Sequence, residues 1–229
     1  MESGAFAPAP DAVRAVVEDL GFTLEDDLFP PLCAYLGLLA KWSRTANFTG
    51  PGRPLEILRT LVADSFYLAD YLNELPLPPE PFCADLGAGA GLPGLPLRMV
   101  RGEGSYVLVE AREKRALFMR AFLAAHPLPG TSVYHGRAED FLHGNANPDL
   151  IVSRAFMPVD KLLNFLEKYL KNGFTCILFT RDRPAAEKTA LCDTIWTAAP
   201  PRSYTVGNDL RFLQAVQKNE PPVHAPHPE

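Results

Sequence analysis

The sequence predicts an α/β fold in which a mostly parallel, doubly wound sheet follows an N-terminal helical extension. Three observations carry that expectation. Short β-like runs, FCADL, SYVLVE, TSVYH, DLIVS and FTCILFT, recur between residues 82 and 180 and alternate with segments of helical period, EKRALFMRAFLAAH and VDKLLNFLEKYLK. Before residue 75 only helical periodicity is present. The stretch LNELPLPPEPF, with four prolines between 76 and 81, separates the two patterns as a semi-rigid boundary. Repetition of strand, helix and strand gives parallel neighbours joined by right-handed crossovers, the Rossmann-like arrangement.

Taken in order, Asp11 can cap a first helix in which Val13, Val16, Val17 and Leu20 recur at helical spacing, and Gly21 is its stop signal. A second helix is expected from about Thr23, where Thr-x-x-Asp with Asp26 resembles a capping box, and its stripe of Leu32, Tyr35, Leu36 and Leu39 ends near Trp42. A third runs from about Glu56 to Leu72 and carries Ile57, Leu61, Phe66 and Leu68. The five β-like runs and their helices follow, RFLQAVQK at 211–218 reads as a last strand, and PPVHAPHPE as a disordered tail with solvated His224 and His227. The expected organisation is therefore a helical region over 8–75, a Rossmann-like domain over 80–219 and a tail over 220–229.

A chain of 229 residues with 47 % hydrophobic content can bury a substantial core. Its four cysteines, at 33, 83, 176 and 192, form no CxxC pair or Cys/His cluster, so no metal site or disulfide framework is expected. The N-terminus lacks a basic region followed by a long apolar core, and no run approaches the ~18 apolar residues of a membrane span. These features predict a cytoplasmic protein without membrane contact. A net charge of −5 excludes a chain coated in nonspecific nucleic-acid contacts.

The run Phe82 to Gly94, FCADLGAGAGLPG, places four glycines within eight positions at the first strand-to-helix turn, where a doubly wound sheet cradles its ligand. Pro93 suits the start of the following helix. Gly89-x-Gly91-x-x-Gly94 matches the dinucleotide pattern and Gly87-x-Gly89-x-Gly91 the S-adenosylmethionine loop, so the glycines alone do not discriminate. Asp85 does: a carboxylate two residues before the first glycine repels a pyrophosphate, at roughly 4 kcal/mol for like charges about 4 Å apart in an effective dielectric of 20, and suits a ligand carrying an ammonium. Glu110, 23 positions after Gly87 at the end of the second strand, can accept hydrogen bonds from both hydroxyls of a ribose. Gly136 to Glu139, after the third strand, can lie along an adenine.

The catalytic devices of competing chemistries are absent. No Tyr-x-x-x-Lys pattern occurs in the second half, and His135 and His143 fall at strand-end or loop positions, which disfavours a dehydrogenase. The loop after the fourth strand, Ser153 to Pro158, lacks the Asn/Asp-Pro-Pro-aromatic device for exocyclic amines and the cysteine needed at pyrimidine carbons. An acceptor with its own lone pair, such as a purine N7, needs neither, because alignment supplies most of the acceleration. No catalytic residue is assigned.

Five ordered motifs resemble those of the small-subunit ribosomal RNA (guanine-N7) methyltransferases, also called glucose-inhibited division protein B. They are Trp42 to Thr49 (WSRTANFT), the pair Asp64-Ser65, Asp85 to Gly94, Arg137-Ala138-Glu139 and Ser153-Arg154-Ala155, and the resemblance extends from about residue 28 to 218. It implies a Rossmann-like S-adenosylmethionine-dependent methyltransferase fold and N7 methylation of a guanine in 16S ribosomal RNA or the small ribosomal subunit, by a monomer without metal. Carried over position by position, Gly87 and Leu92 line the methionine end of the donor, Ala138 and Glu139 flank its adenine, and Arg154 borders the site; Gly89 and Glu110 join these donor-binding candidates from the reading of the loop and of the second strand. The sequence departs from the family pattern at Ser43, at Glu110, at Leu61 and at the end of the fifth strand, where LFTRDR lacks the usual lysine. Methylation of another RNA or a small molecule, or donor binding without catalysis, remain the alternatives. Six basic residues at 98, 101, 112, 114, 115 and 120 are the candidate RNA patch, and Asn47 and Thr49 are candidate polar groups near the acceptor.

Overall fold

A computed structural model describes residues 7–46, 52–144, 146–170, 173–184 and 196–218. The helical N-terminal part comprises α1 (Pro10–Asp19), α2 (Phe29–Ala46), α3 (Pro54–Ile57), a π-helical turn (Leu58–Val62) and α4 (Ala63–Leu72). Then β1 (Phe82–Leu86), α5 (Gly94–Val100), β2 (Ser105–Glu110), α6 (Glu113–Ala125), β3 (Thr131–His135), α7 (Ala138–His143), β4 (Leu150–Ser153), α8 (Val159–Tyr169) and β5 (Thr175–Thr180) alternate. Three further strands follow among the described residues: β6 (Trp196–Ala198), β7 (Arg202–Val206) and β8 (Asp209–Lys218).

The sheet order is β3-β2-β1-β4-β5-β8-β6, with β7 also pairing β8. The first five strands are parallel and β8 enters antiparallel to β5. Strand order reverses between β1 and β4, so the carboxyl ends of these two strands border a crevice, the usual ligand position in such sheets. Both faces are covered, and the strands alternate between them: Cys83, Leu150 and Val152 join the core shared with the N-terminal helices, whereas Ala84, Leu86 and Ile151 join the one under α7 and α8.

Local chemistry explains most boundaries and departs from the expected ones at several. Ala9, not Asp11, precedes α1, with Pro10 opening the helix and Asp11 an acid of its first turn; Gly21 takes φ +85° after it. No capping box forms at Thr23. Glu25 is extended, Asp26–Leu28 form one 3-10 turn, and α2 starts at Phe29, because Pro30 and Pro31 are admitted only in a first helical turn. Leu32, Tyr35, Leu36 and Leu39 are all buried as their spacing requires, and so are Ile57, Phe66 and Leu68. The sequence gives no warning of β6 and β7, which are short and flank the Ala-Ala-Pro-Pro run at 198–201; they form because β8 offers them an edge. The expected tail at 220–229, like Asn47 and Thr49, lies outside the described residues. Among those described, no helix is long and apolar enough to cross a membrane, and no group of His, Cys, Asp or Glu could hold a metal.

Candidate donor and acceptor site

The loop after β1 is built by backbone that only glycine accepts readily. Gly87, Gly89 and Gly91 have φ of +72°, +61° and +78°. A Cβ on Gly87 would stand 2.5 Å from the ring of Phe156, and one on Gly94 would stand 2.6 Å from Asp85 Oδ2. The loop is pinned from three sides. Gly87 and Ala88 donate their N–H groups to the Val109 carbonyl, Tyr35 donates its hydroxyl from α2 to the Ala90 carbonyl at 2.9 Å, and Ser65 donates from α4 to the Pro93 carbonyl at 3.0 Å. The Asp64-Ser65 pair noted in the sequence thus ties the N-terminal helices to the loop. Pro93 sits one residue before α5, at its N-cap.

Asp85 lies beneath this loop, 1 % exposed. Its Oδ2 accepts from the Tyr106 hydroxyl at 3.4 Å, and the Gly94 N–H also donates to the carboxylate. Among the described residues Oδ1 has no partner. Burial pushes its carboxyl up to about 8, against the opposing pull of the Tyr106 and Gly94 hydrogen bonds and the Arg154 charge. Glu110, at the end of β2, holds the loop from the next strand: Oε2 accepts the Gly89 N–H and Oε1 the Arg112 N–H, both at 2.8 Å. A carboxylate accepts about four hydrogen bonds, so each oxygen keeps capacity. The Gly136 N–H in turn donates to the Glu110 carbonyl, which brings the start of α7 alongside.

The candidate residues therefore lie along one edge of the sheet. Ala138 and Glu139 open α7 after β3, Glu110 ends β2, Gly87, Gly89 and Leu92 follow β1, and Arg154 follows β4 across the crevice. Ala138 is buried in the core under α7 and α8, and Leu92 packs on the opposite core. Arg154 is turned toward the N-terminal helices: Nε meets Asp64 Oδ2 at 3.1 Å and Nη1 donates to the Leu61 carbonyl at 3.1 Å. Asp64, 2 % exposed, also accepts on Oδ1 from Tyr204 at 2.9 Å and Arg211 at 2.7 Å, and Arg211 reaches the Thr60 carbonyl. Those two carbonyls belong to the π-helical turn, a feature frequent at functional sites. Tyr204 and Arg211 were not singled out in the sequence, because nothing local marks them.

Between this cluster and the end of β5 lies a cavity of about 230 Å³, bordered by Leu61, Asp64, Arg154, Thr180, Tyr204 and Arg211. The candidate basic patch divides. Arg98 is buried and donates to the carbonyls of Gly102, Glu103, Gly104 and Pro129, and Arg101 bonds Asn73, so both serve the fold. Arg112, Lys114 and Arg120 are exposed at and along α6.

The profile of the family GidB, rRNA small subunit methyltransferase G, matches residues 30–198. The chain is 42 % identical over 208 residues, covering 90 % of itself and 94 % of the relative, to ribosomal RNA small subunit methyltransferase G of Lawsonia intracellularis. It is 48 % identical over 164 residues to the protein of that name from Nitratidesulfovibrio vulgaris, covering 72 % and 75 % of the two chains. Among solved structures, magnesium protoporphyrin IX methyltransferase from Synechocystis, with S-adenosylmethionine bound, superposes with a TM-score of 0.56 at 11 % identity, covering 81 % of this chain and 97 % of that one. TrmN from Thermus thermophilus does so with 0.55 at 18 %, covering 73 % and 54 %. These last two likenesses concern the fold alone.

Proposed function

The chain belongs to the GidB family of small-subunit ribosomal RNA methyltransferases, and on that premise we propose that it methylates N7 of a guanine in 16S ribosomal RNA. S-adenosylmethionine is the donor. When bound it would supply an electrophilic methyl group to the ring-nitrogen lone pair, with the thioether sulfur keeping the electrons of the broken C–S bond.

The observation that carries the reading is the partnerless, buried Asp85 Oδ1 under three left-handed glycines. A carboxylate in that position suits an amino-acid ammonium and opposes a pyrophosphate. On this reading Gly87, Gly89 and Leu92 border the methionine end, the spare lone pairs of Glu110 take the ribose hydroxyls, Ala138 and Glu139 flank the adenine, and Arg154 closes the site from β4. The chain's own contribution is to bind and orient: a rigid loop and a buried carboxylate fix the donor, and little proton transfer is required. The exposed Arg112, Lys114 and Arg120 suit a phosphate backbone close to the loop. The same reading makes the protein a cytoplasmic monomer acting on the RNA or on the small subunit.

The test is incubation of labelled S-adenosylmethionine with small ribosomal subunits from a strain lacking the modification, followed by mapping of the labelled nucleotide. Label on a guanine N7 is expected. Calorimetric binding of the donor with no transfer would instead make the protein a non-catalytic binder.

A further inference from the structure

The cavity between the π-helical turn and the ends of β4, β5, β7 and β8 is separate from the glycine loop, yet Arg154 faces both. Its charge acts on Asp85 beneath the loop and on Tyr204 in the cavity wall. Ala155, the next residue, takes φ 55°, the one positive value at a non-glycine position among the described residues. That turn sends Arg154 to the cavity and Phe156 over Gly87. Strain of this kind persists where surrounding structure holds it, and clusters at ligand sites.

We propose that this cavity receives the acceptor base, and that the guanidinium groups fixed by Asp64 select a purine by its carbonyl. The inference rests on the methyltransferase reading above. At about 230 Å³ the space is below the roughly 300–1,000 Å³ of pockets for drug-sized ligands, and suits one extruded base rather than a base pair. Its polar wall offers donors. Arg154, a wall residue, is held by Nε on Asp64 and by Nη1 on the Leu61 carbonyl. Arg211 borders the cavity beside it, held through Nη1 on Asp64 and the Thr60 carbonyl. Both oxygens of Asp64 are engaged, by Tyr204, Arg211 and Arg154.

Guanine presents O6 beside N7, two acceptors, whereas adenine presents the N6 amino donor beside N7. A guanidinium carries donors only. Guanine O6 is therefore matched, whereas the adenine amino group would face guanidinium donors of its own kind. Holding O6 alone leaves the N7 lone pair unshared for the reaction. Asp64 meanwhile offsets one of the two guanidinium charges near a base that becomes cationic.

The decisive measurement is saturation-transfer NMR on the full chain with S-adenosylhomocysteine, offering guanosine or adenosine monophosphate as the probe. Saturation of the guanine ring in excess of adenine is expected, and Thr180→Phe, which fills the cavity away from the loop, should abolish it while leaving S-adenosylhomocysteine affinity unchanged. Arg211→Lys, which keeps a charge on Asp64 but loses the fork, should narrow the preference. In single-turnover methylation of small subunits, Thr180→Phe should slow transfer by about 100-fold or more. Equal saturation of both purines or of neither, or wild-type transfer by Thr180→Phe, overturns the assignment. Failure of the wild-type chain to label any subunit counts against the methyltransferase reading, and the nucleotide measurement then still decides the cavity.

Discussion

The Gly89 N–H donates to Glu110 Oε2 at 2.8 Å, so the carboxylate that ends one strand holds the loop that follows its neighbour. With Oε1 on the Arg112 N–H, Glu110 fixes both sides of the mouth. Removing one acceptor should loosen the loop before any ligand arrives. Glu110→Gln is expected to weaken S-adenosylmethionine binding about tenfold, or 1.4 kcal/mol, and Glu110→Ala more. Calorimetric titration measures both. Unchanged affinity in Glu110→Ala would remove this residue from the site.

At Gly87 two penalties coincide: a φ of +72° and a Cβ position 2.5 Å from Phe156. Gly87→Ala should cost about 1–2 kcal/mol for the left-handed backbone alone, and donor affinity should be lost with it. Adding Phe156→Ala relieves the collision but not the dihedral, so the double variant should regain only part of the stability in denaturant titration. Full recovery would show that the backbone was never constrained.

Asp85 makes stability fall with rising pH. Its folded carboxyl is raised to about 8 by burial, above the ordinary value of 3.8. Between those two values the folded chain holds a proton that the unfolded chain has released, so the contribution is complete below about 4 and lost as pH rises through about 8. The slope is at most about 1.4 kcal/mol per pH unit. An ammonium beside Asp85 favours the carboxylate, so donor binding below pH 8 should release a proton. Denaturation across pH 4–8, compared with Asp85→Asn, tests the first expectation. Calorimetry in buffers of different ionisation enthalpy tests the second, and a binding enthalpy independent of buffer would contradict it.

Asp64 is the counter-ion of two guanidinium groups that are themselves largely buried, with side-chain exposures of 18 % for Arg154 and 12 % for Arg211. Truncating it to Ala leaves Arg154 without its counter-ion and Arg211 with only the exposed Asp209 at 3.7 Å, at a cost of about 3 kcal/mol. The loss should appear as a lower denaturation midpoint. Pairing Asp64→Ala with Arg211→Met should cost less than the two single changes added together. Strict additivity would mean that the ion pair carries no coupling.

The sequence made part of this legible. Short β-like runs separated by runs of helical period identify the parallel sheet, because strands covered on both faces read as short apolar runs and helices keep one apolar stripe. The glycine loop was readable for a related reason, since positive φ at Gly87, Gly89 and Gly91 is a demand on individual residues. Asp85 and Glu110 stood out by their distance from that loop along the chain. By contrast, Arg98 read as a surface cation and is a buried clasp for four carbonyls. Tyr35 read as one member of an apolar stripe and also holds the Ala90 carbonyl.

By itself, then, the sequence determined the alternating fold, the loop after the first strand and the order of the candidate donor residues along one sheet edge, all consequences of local conformational preference. Tertiary structure alone decided the cavity wall. Asp64 meets Tyr204 and Arg211 across 140 and 147 residues of chain, and Arg154 meets Leu61 across 93. Such pairings depend on where α4 docks against β7 and β8 and on a π-helical turn that frees two carbonyls. Neither is encoded in any local window, because each is set by packing between elements that are distant in sequence.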